Sequence, residues 1–198
     1  MCRLMKKKSG ETKKCIFLDR DGTINKNVHY MYSTNQLELE ENAASAIAEI
    51  NDSEYLAIII TNQSAVARGM CSIDAIYEIH KKLETLLLAE HVYVDDIFFC
   101  PHHPDKNNIK GNSLYQIDCE CRKPKPGMLF NAAEKFNIDL SQSYMVGDDL
   151  RDINAGIAAG CIPVFLTNDK SDNCLESINK LITHTNLKEF SDSIFNIT

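Results

Sequence analysis

Residues 15–18, Cys-Ile-Phe-Leu, form a continuously apolar run that stops at two carboxylates one residue apart, Asp19 and Asp21. An apolar run without alternation is the pattern of a strand buried on both faces, and such strands belong to parallel sheets covered by helices. If the backbone stays extended, Asp19 and Asp21 project to the same side. Gly22 then lets the chain turn sharply. Open α/β sheets bind their ligands beyond the carboxyl ends of their strands, which is where these acids fall. Taken alone, the same residues are also the pattern of an ordinary solvated turn. Three later stretches decide between the two.

Residues 55–60, Tyr-Leu-Ala-Ile-Ile-Ile, are a second buried-strand run, and it too ends in polar residues, Thr61-Asn62-Gln63-Ser64. Residues 92–99 read as a third strand, residues 144–146 as a fourth that finishes at Gly147-Asp148-Asp149, and residues 162–166 as a fifth. Helical spacing covers residues 41–51, with Asp52 and Ser53 ending it. Ser72 caps a long amphipathic helix reaching about residue 90, with Asp74 in its first turn and Ile73, Ile76, Leu83 and Leu87 on one face. Pro126 opens a helix over residues 127–136 that Asn137 ends. A further helix places Leu150, Ile153 and Ile157 on one face and closes at Gly160. Residues 174–182 read as a surface helix, and residues 185–198 as a short strand and a helical turn. Strand and helix alternate, which predicts a Rossmann-like parallel sheet with helices on both faces. The 198 residues fit one such domain over residues 14–198, preceded by a polar tail over residues 1–13.

The formal net charge of −7 argues against nucleic acid as a partner, since phosphate backbones are bound by basic surfaces. No apolar run reaches the length of a membrane span, so the expectation is a cytosolic monomer acting on a small molecule. Eight cysteines are many for that compartment, where thiols serve as metal ligands or buried core groups rather than disulfides. Cys15 and Cys161 lie in or beside apolar strands and read as core.

The strand ends deliver Asp19 and Asp21, Thr61 and Asn62, and Asp148 and Asp149; Arg122 and Lys123 lie near the end of an irregular stretch. That inventory suits phosphoryl transfer. A carboxylate with an ordinary pKa of about 3.9 is ionised at neutral pH and can attack phosphorus without a base. The obstacle is repulsion between a phosphate dianion and the acids. Two like charges ~4 Å apart oppose each other by roughly 1 kcal/mol in water and ~4 kcal/mol at an effective dielectric of ~20. A hard cation among the carboxylates removes that barrier, and Mg2+ fits oxygen ligands together with a substrate phosphate.

The irregular stretch, residues 100–126, carries Cys100-Pro-His102-His103-Pro and Cys119-Glu-Cys121. Two pairs of soft ligands are what a closed tetrahedral Zn2+ site requires, with either His102 or His103 as the nitrogen donor. The alternative is three reduced thiols beside a surface histidine pair. A loop this poor in apolar residues has little else to order it, and structural zinc supplies an apparent ~10–16 kcal/mol. Cys121 directly precedes Arg122 and Lys123, so such a metal would position both cations.

The ordered set DRDGT, TNQS, RKPKPG and GDDLRD resembles the haloacid dehalogenase superfamily of phosphatases over roughly residues 15–165. The resemblance implies that Asp19 is the nucleophile and a Mg2+ ligand. Asp21 would be the general acid/base, its carbonyl on the metal. Thr61 and Asn62 would hold the phosphate, Lys123 would neutralise it, and Asp148 would complete the metal site. CPHHP followed by CECRKPKPGM resembles the zinc-bearing branch of heptose-bisphosphate and histidinol-phosphate phosphatases, which implies Cys100, His102, Cys119 and Cys121 as the zinc ligands. The implied activity is removal of the 7-phosphate of a heptose 1,7-bisphosphate. Histidinol phosphate or another small metabolite is the nearest alternative substrate. A zinc-binding module without catalysis is an alternative of another class. One departure is Asp149, where heptose enzymes of this kind can carry Lys. The segment between Asn25 and Glu41 is too short for a large cap domain, which leaves discrimination to residues 26–36 and the zinc loop. Arg122, Arg68 and Lys110 are candidate cations for a second phosphate.

Overall fold

A computed structural model of the chain describes residues 11–168, 178 and 180–196. Its strands are β1 (Lys14–Leu18), β2 (Tyr55–Asn62), β3 (Asp96–Cys100), β4 (Tyr144–Gly147), β5 (Ile162–Leu166) and β6 (Ile182–His184). They pair in parallel as one sheet in the order β3-β2-β1-β4-β5-β6. The helices are α1 (Ala43–Asp52), α2 (Ile73–Ala89), α3 (Gly127–Phe136), α4 (Leu150–Ala159) and α5 (Leu187–Phe195). Strand β1 sits mid-sheet, and its residues from Cys15 to Leu18 are wholly buried. Alternation along it feeds two cores. Ile16 and Leu18 join Ile47 of α1, Ile76 and Leu83 of α2, and Phe190 of α5. Cys15 and Phe17 face the other way, onto Leu129 of α3 and Ala155 of α4. Helices therefore cover both faces, as the near-continuous apolar strands require.

Three features depart from what the sequence predicts: the start of β3, the buried face of α4 and the elements at the carboxyl end. Strand β3 starts at Asp96 rather than at residue 92, because the intervening residues close other elements. His91 adopts the left-handed conformation (φ 63°) that ends α2, and the Val92 amide bonds back to the Leu87 carbonyl at 3.0 Å. The Asn51 side chain pairs with both backbone groups of Tyr93, each at 3.0 Å.

Helix α4 is turned from its expected face: Leu150 and Ile157 are 40% and 45% exposed, while Asp152, Ile153, Ala155 and Gly156 are buried. The helix lies so close to β4 that a Cβ on Gly156 would come within 2.7 Å of Met145 Cβ. Small residues, not the largest apolar ones, therefore make this contact, and Asp152 is carried inward.

At the carboxyl end the expected strand and helical turn are β6, before residue 185, and a fuller helix, α5. Asn186 caps that helix through the Glu189 amide (2.9 Å), and Leu187 and Phe190 are buried one turn apart. Most of the helix expected over residues 174–182, namely 174–177 and 179, lies outside the described residues, and Ile182 begins β6.

Between β1 and α1 a single 3₁₀ turn, Thr34–Gln36, is the one helical element, so among the described residues this segment holds no cap domain over the carboxyl edge of β1. Among the described residues no helix is long and apolar enough to cross a membrane.

Candidate active site

Strand order reverses between β1 and β4, so the loops leaving these two strands diverge and open a crevice at their carboxyl ends. Asp19 leaves β1 there, its amide bonded to the Val146 carbonyl of β4 at 2.8 Å, and Asp148 leaves β4. Lys123 enters from the far side on the loop that follows β3. Asn62 at the end of β2 grips its backbone twice, donating to the Lys123 carbonyl (3.0 Å) and accepting from its amide (3.1 Å). The Asn62 side chain thus anchors the lysine. The Lys123 ammonium is buried and has three acceptors for its three protons: Asp19 Oδ1 at 2.7 Å, Asp152 Oδ1 at 2.6 Å and the Ile60 carbonyl at 2.7 Å. Burial alone would lower its pKa, but Asp152 and Asp19 outweigh that and raise it.

Asp19, Asp148 and Asp152 each bring a carboxylate oxygen within 4.8 Å of the others. Crowding shows in their acidities. Burial, followed by the charge of Asp19, pushes Asp152 up to about 7 and Asp148 up to about 6. Asp152 is a site residue to which the sequence reading gave no role. Its signal was a second acid three residues after the helix-capping Asp149, whose amide it accepts at 3.1 Å. The charge of three acids around one lysine is what a bound cation would offset.

Gly22 (φ +84°) is packed so tightly against this cluster that an added Cβ would lie 1.9 Å from Asp148 Oδ2. Gly22→Ala is therefore expected to push Asp148 aside and weaken apparent Mg2+ affinity about 10–100-fold. Titrating activity against Mg2+, with circular dichroism as a fold control, checks it.

Asp21 lines the same crevice, but its carboxylate does not join the acidic cluster. The chain turns after Asp19, with the Ile24 amide returning to the Arg20 carbonyl at 2.9 Å. Asp21 instead accepts from Arg20 Nη2 on both oxygens (2.9 Å each), from Asn25 Nδ2 (2.9 Å) and from Gln63 Nε2 (2.8 Å). Burial works to raise its pKa, but Arg20, Asn25 and Gln63 together hold it below the usual carboxylate range.

The crevice encloses about 340 Å³ and is rimmed by Tyr30, Arg68, His103, Arg122 and Arg151. Arg68 lies 4.9 Å from the centre of the Tyr30 ring and 3.1 Å from His103 Nε2. Arg122 donates to the His102 carbonyl at 3.1 Å. Lys110, expected as a cation here, does not line the crevice. Its carbonyl instead packs where a Cβ on Gly69 would stand, 2.3 Å away. Arg151, which the sequence reading passed over, takes its place.

Beyond the rim, the Cys121 sulfur lies 3.2 Å from both Cys100 and Cys119 sulfurs, and the latter two are 3.5 Å apart. His102 Nδ1 is 3.3 Å from Cys121 and 3.6 Å from Cys100. His103 is turned away, with Nε2 at Arg68 and Nδ1 accepting from the Asp105 amide at 3.2 Å. The geometry therefore selects His102 over His103 as the partner of the three thiols. Hydrogen bonding with Cys100 is the largest influence pulling the Cys121 thiol down to about 5, against burial. Tetrahedral Zn–S bonds of ~2.3 Å set sulfurs ~3.8 Å apart, close to this spacing, and three thiols with one imidazole are a common structural zinc set.

Residues 120–187, which include Cys121, Lys123, Asp148 and Asp152, match the HAD-hydrolase-like family model. The chain is 39% identical over 146 residues to a D-glycero-beta-D-manno-heptose-1,7-bisphosphate 7-phosphatase of Haemophilus influenzae, an alignment covering 74% of this chain and 77% of that protein. The chain belongs to that phosphatase family. A heptose-bisphosphate 7-phosphatase of Haemophilus ducreyi is 36% identical over 185 residues, 88% of this chain and 99% of that one. The solved D,D-heptose 1,7-bisphosphate phosphatase of B. bronchiseptica, complexed with magnesium and phosphate, superposes with a TM-score of 0.80. It is 30% identical, and the match covers 93% of this chain and 99% of that one. The chain is accordingly a phosphoric monoester hydrolase of the haloacid dehalogenase superfamily. Against that background Asp149 is less disruptive than its charge implies. It accepts from Arg151 Nε at 2.8 Å and from Arg151 Nη2 at 2.6 Å, and it caps α4, so its negative charge is matched beside the crevice.

Proposed function

We propose that this heptose-bisphosphate phosphatase relative removes the 7-phosphate of D-glycero-D-manno-heptose 1,7-bisphosphate through a phosphoaspartate on Asp19. The observation that carries the reading is the floor of the crevice, where the Asp19 carboxylate lies 2.7 Å from a buried lysine and beside two further acids. Magnesium, held by Asp19, Asp148 and the Asp21 carbonyl, would offset the repulsion between those acids and the incoming phosphate. Zinc on Cys100, His102, Cys119 and Cys121 would lock the loop that delivers Arg122 and Lys123.

In the first step an Asp19 oxygen attacks phosphorus and the bond from phosphorus to the sugar oxygen breaks. Asp21 gives its proton to that oxygen, so it must enter the step protonated, against the hold of Arg20, Asn25 and Gln63 that lowers its pKa in the free site. In the second step water attacks the phosphoaspartate, Asp21 takes the water's proton, and the bond from phosphorus to Asp19 breaks. Asp21 thus ends the cycle with the proton it began with. Lys123 and Thr61 bind the phosphoryl oxygens throughout, while Asn62 and Asp152 hold Lys123 in place.

We read residues 14–198 as one phosphatase domain that acts as a monomer, and a chain with this many cysteines suits the reducing cytoplasm.

The same reading assigns the other phosphate to the rim. Arg122 is fixed by its bond to the His102 carbonyl and presents a planar fork suited to phosphate. The wild-type protein is expected to have a higher kcat/KM for the heptose bisphosphate than for histidinol phosphate, which has no second phosphate. Arg122→Ala is expected to lose about tenfold or more on the bisphosphate and little on histidinol phosphate, in line with a charged hydrogen bond of ~1.5–3 kcal/mol. A wild-type preference for histidinol phosphate would refute the substrate assignment while leaving the phosphatase intact.

A further inference from the structure

Gln63 follows the two residues assigned to phosphate binding and lysine anchoring, and it is only 4% exposed. Its carboxamide makes three bonds. Oε1 accepts from Arg20 Nη2 at 3.1 Å, and Nε2 donates to Asp21 Oδ2 at 2.8 Å and to Thr61 Oγ1 at 2.9 Å. The orientation of the amide follows from its neighbours. A guanidinium only donates and a carboxylate only accepts, so the reversed amide would face like against like on both sides. Both Nε2 protons are therefore committed, one of them to the Thr61 oxygen.

That commitment decides what Thr61 can do. Its hydroxyl has one proton to give, and with Gln63 donating into the oxygen, the proton must point away from Gln63. Among the described residues no acceptor bonds it, and Thr61 lines the crevice beside Asp19. The proton is left for a ligand oxygen.

From this geometry we infer that Gln63 is a positioning residue: it aims the Thr61 hydroxyl at the transferring phosphate and ties that hydroxyl to Asp21 through a single amide. The inference rests on the phosphatase reading above. Within it, one side chain couples the phosphate cradle to the acid/base residue, and the Arg20 guanidinium holds that side chain from behind. A glutamate at this position would keep the shape and the bond from Arg20, but it could donate to neither Thr61 nor Asp21.

Orthovanadate, a phosphate-like inhibitor with no leaving group, isolates the Thr61 arm from proton transfer by Asp21. Its Mg2+-dependent inhibition constant is measured for wild type, Gln63→Met, Thr61→Val and the double variant, and Gln63→Glu provides a second path should the methionine variant unfold. Gln63→Met or Gln63→Glu is expected to weaken orthovanadate about tenfold in the wild-type background. In the Thr61→Val background, with no hydroxyl left to aim, the expected loss is under about twofold. Equal losses in both backgrounds, or none in either, would overturn the inference while a wild type that releases phosphate keeps the phosphatase reading. A wild type that neither turns over phosphomonoesters nor binds orthovanadate would overturn both.

Discussion

Asp19→Asn is expected to lower turnover by roughly four orders of magnitude or more while leaving the fold intact. An amide is not a competent nucleophile toward phosphorus, and no other carboxylate can take its place. Asp148 is held just past the end of β4 and Asp152 on α4, and Asp21 is clamped by Arg20, Asn25 and Gln63. Stability is expected to survive because Lys123 keeps Asp152 at 2.6 Å and the Ile60 carbonyl at 2.7 Å. The substitution also removes one of three crowded negative charges. Asp21→Asn differs in kind: it keeps the nucleophile and removes the proton donor, so severe loss is expected together with a slower breakdown of any phosphoenzyme formed. Steady-state assays with thermal unfolding as the control check both, and near-normal turnover by a verified Asp19→Asn sample rules out the phosphoaspartate route.

Cys119→Ser is the second large effect. Wild-type protein purified without chelator is expected to contain one zinc per chain and the variant none, because a serine oxygen is a poor substitute for a soft thiolate. The loop over residues 100–126 has little apolar packing to replace the metal: Ile109 and Leu114 are 98% and 79% exposed. Losing the metal removes an apparent ~10–16 kcal/mol of ordering from that loop. Arg122 and Lys123 directly follow Cys121, so activity is expected to fall about 10–100-fold. Some activity is expected to remain, since Asn62 still grips the Lys123 backbone. Metal analysis and kcat/KM on the same samples test this, and a fully active wild type free of zinc contradicts it.

What the sequence made legible was set by strand ends. Apolar runs without alternation placed β1, β2, β4 and β5, and the polar residues at their ends placed Asp19, Thr61 and Asp148 at one edge. What stayed hidden depends on tertiary packing. Asp152 turns inward because α4 approaches the sheet through Gly156, which a face drawn through Leu150 and Ile157 does not reveal. The clamp on Asp21 is built from Arg20, Asn25 and Gln63, and the turn after Asp19 that assembles it has no periodicity to read. Likewise His102 and His103 are equivalent ligands by spacing, and only their tertiary contacts, His102 with the thiols and His103 with Arg68, separate them. Arg151 rather than Lys110 reaches the rim for a similar reason, since chain distance from a motif says little about which rim a side chain reaches.

The most direct test of the account is phosphorus NMR of the purified protein with Mg2+ and D-glycero-D-manno-heptose 1,7-bisphosphate. Mg2+-dependent growth of an inorganic phosphate signal is expected, with loss of the 7-phosphate signal and retention of the 1-phosphate on the product. Retention of the 7-phosphate with loss of the 1-phosphate, or no phosphate release from folded, metal-replete protein, would contradict it.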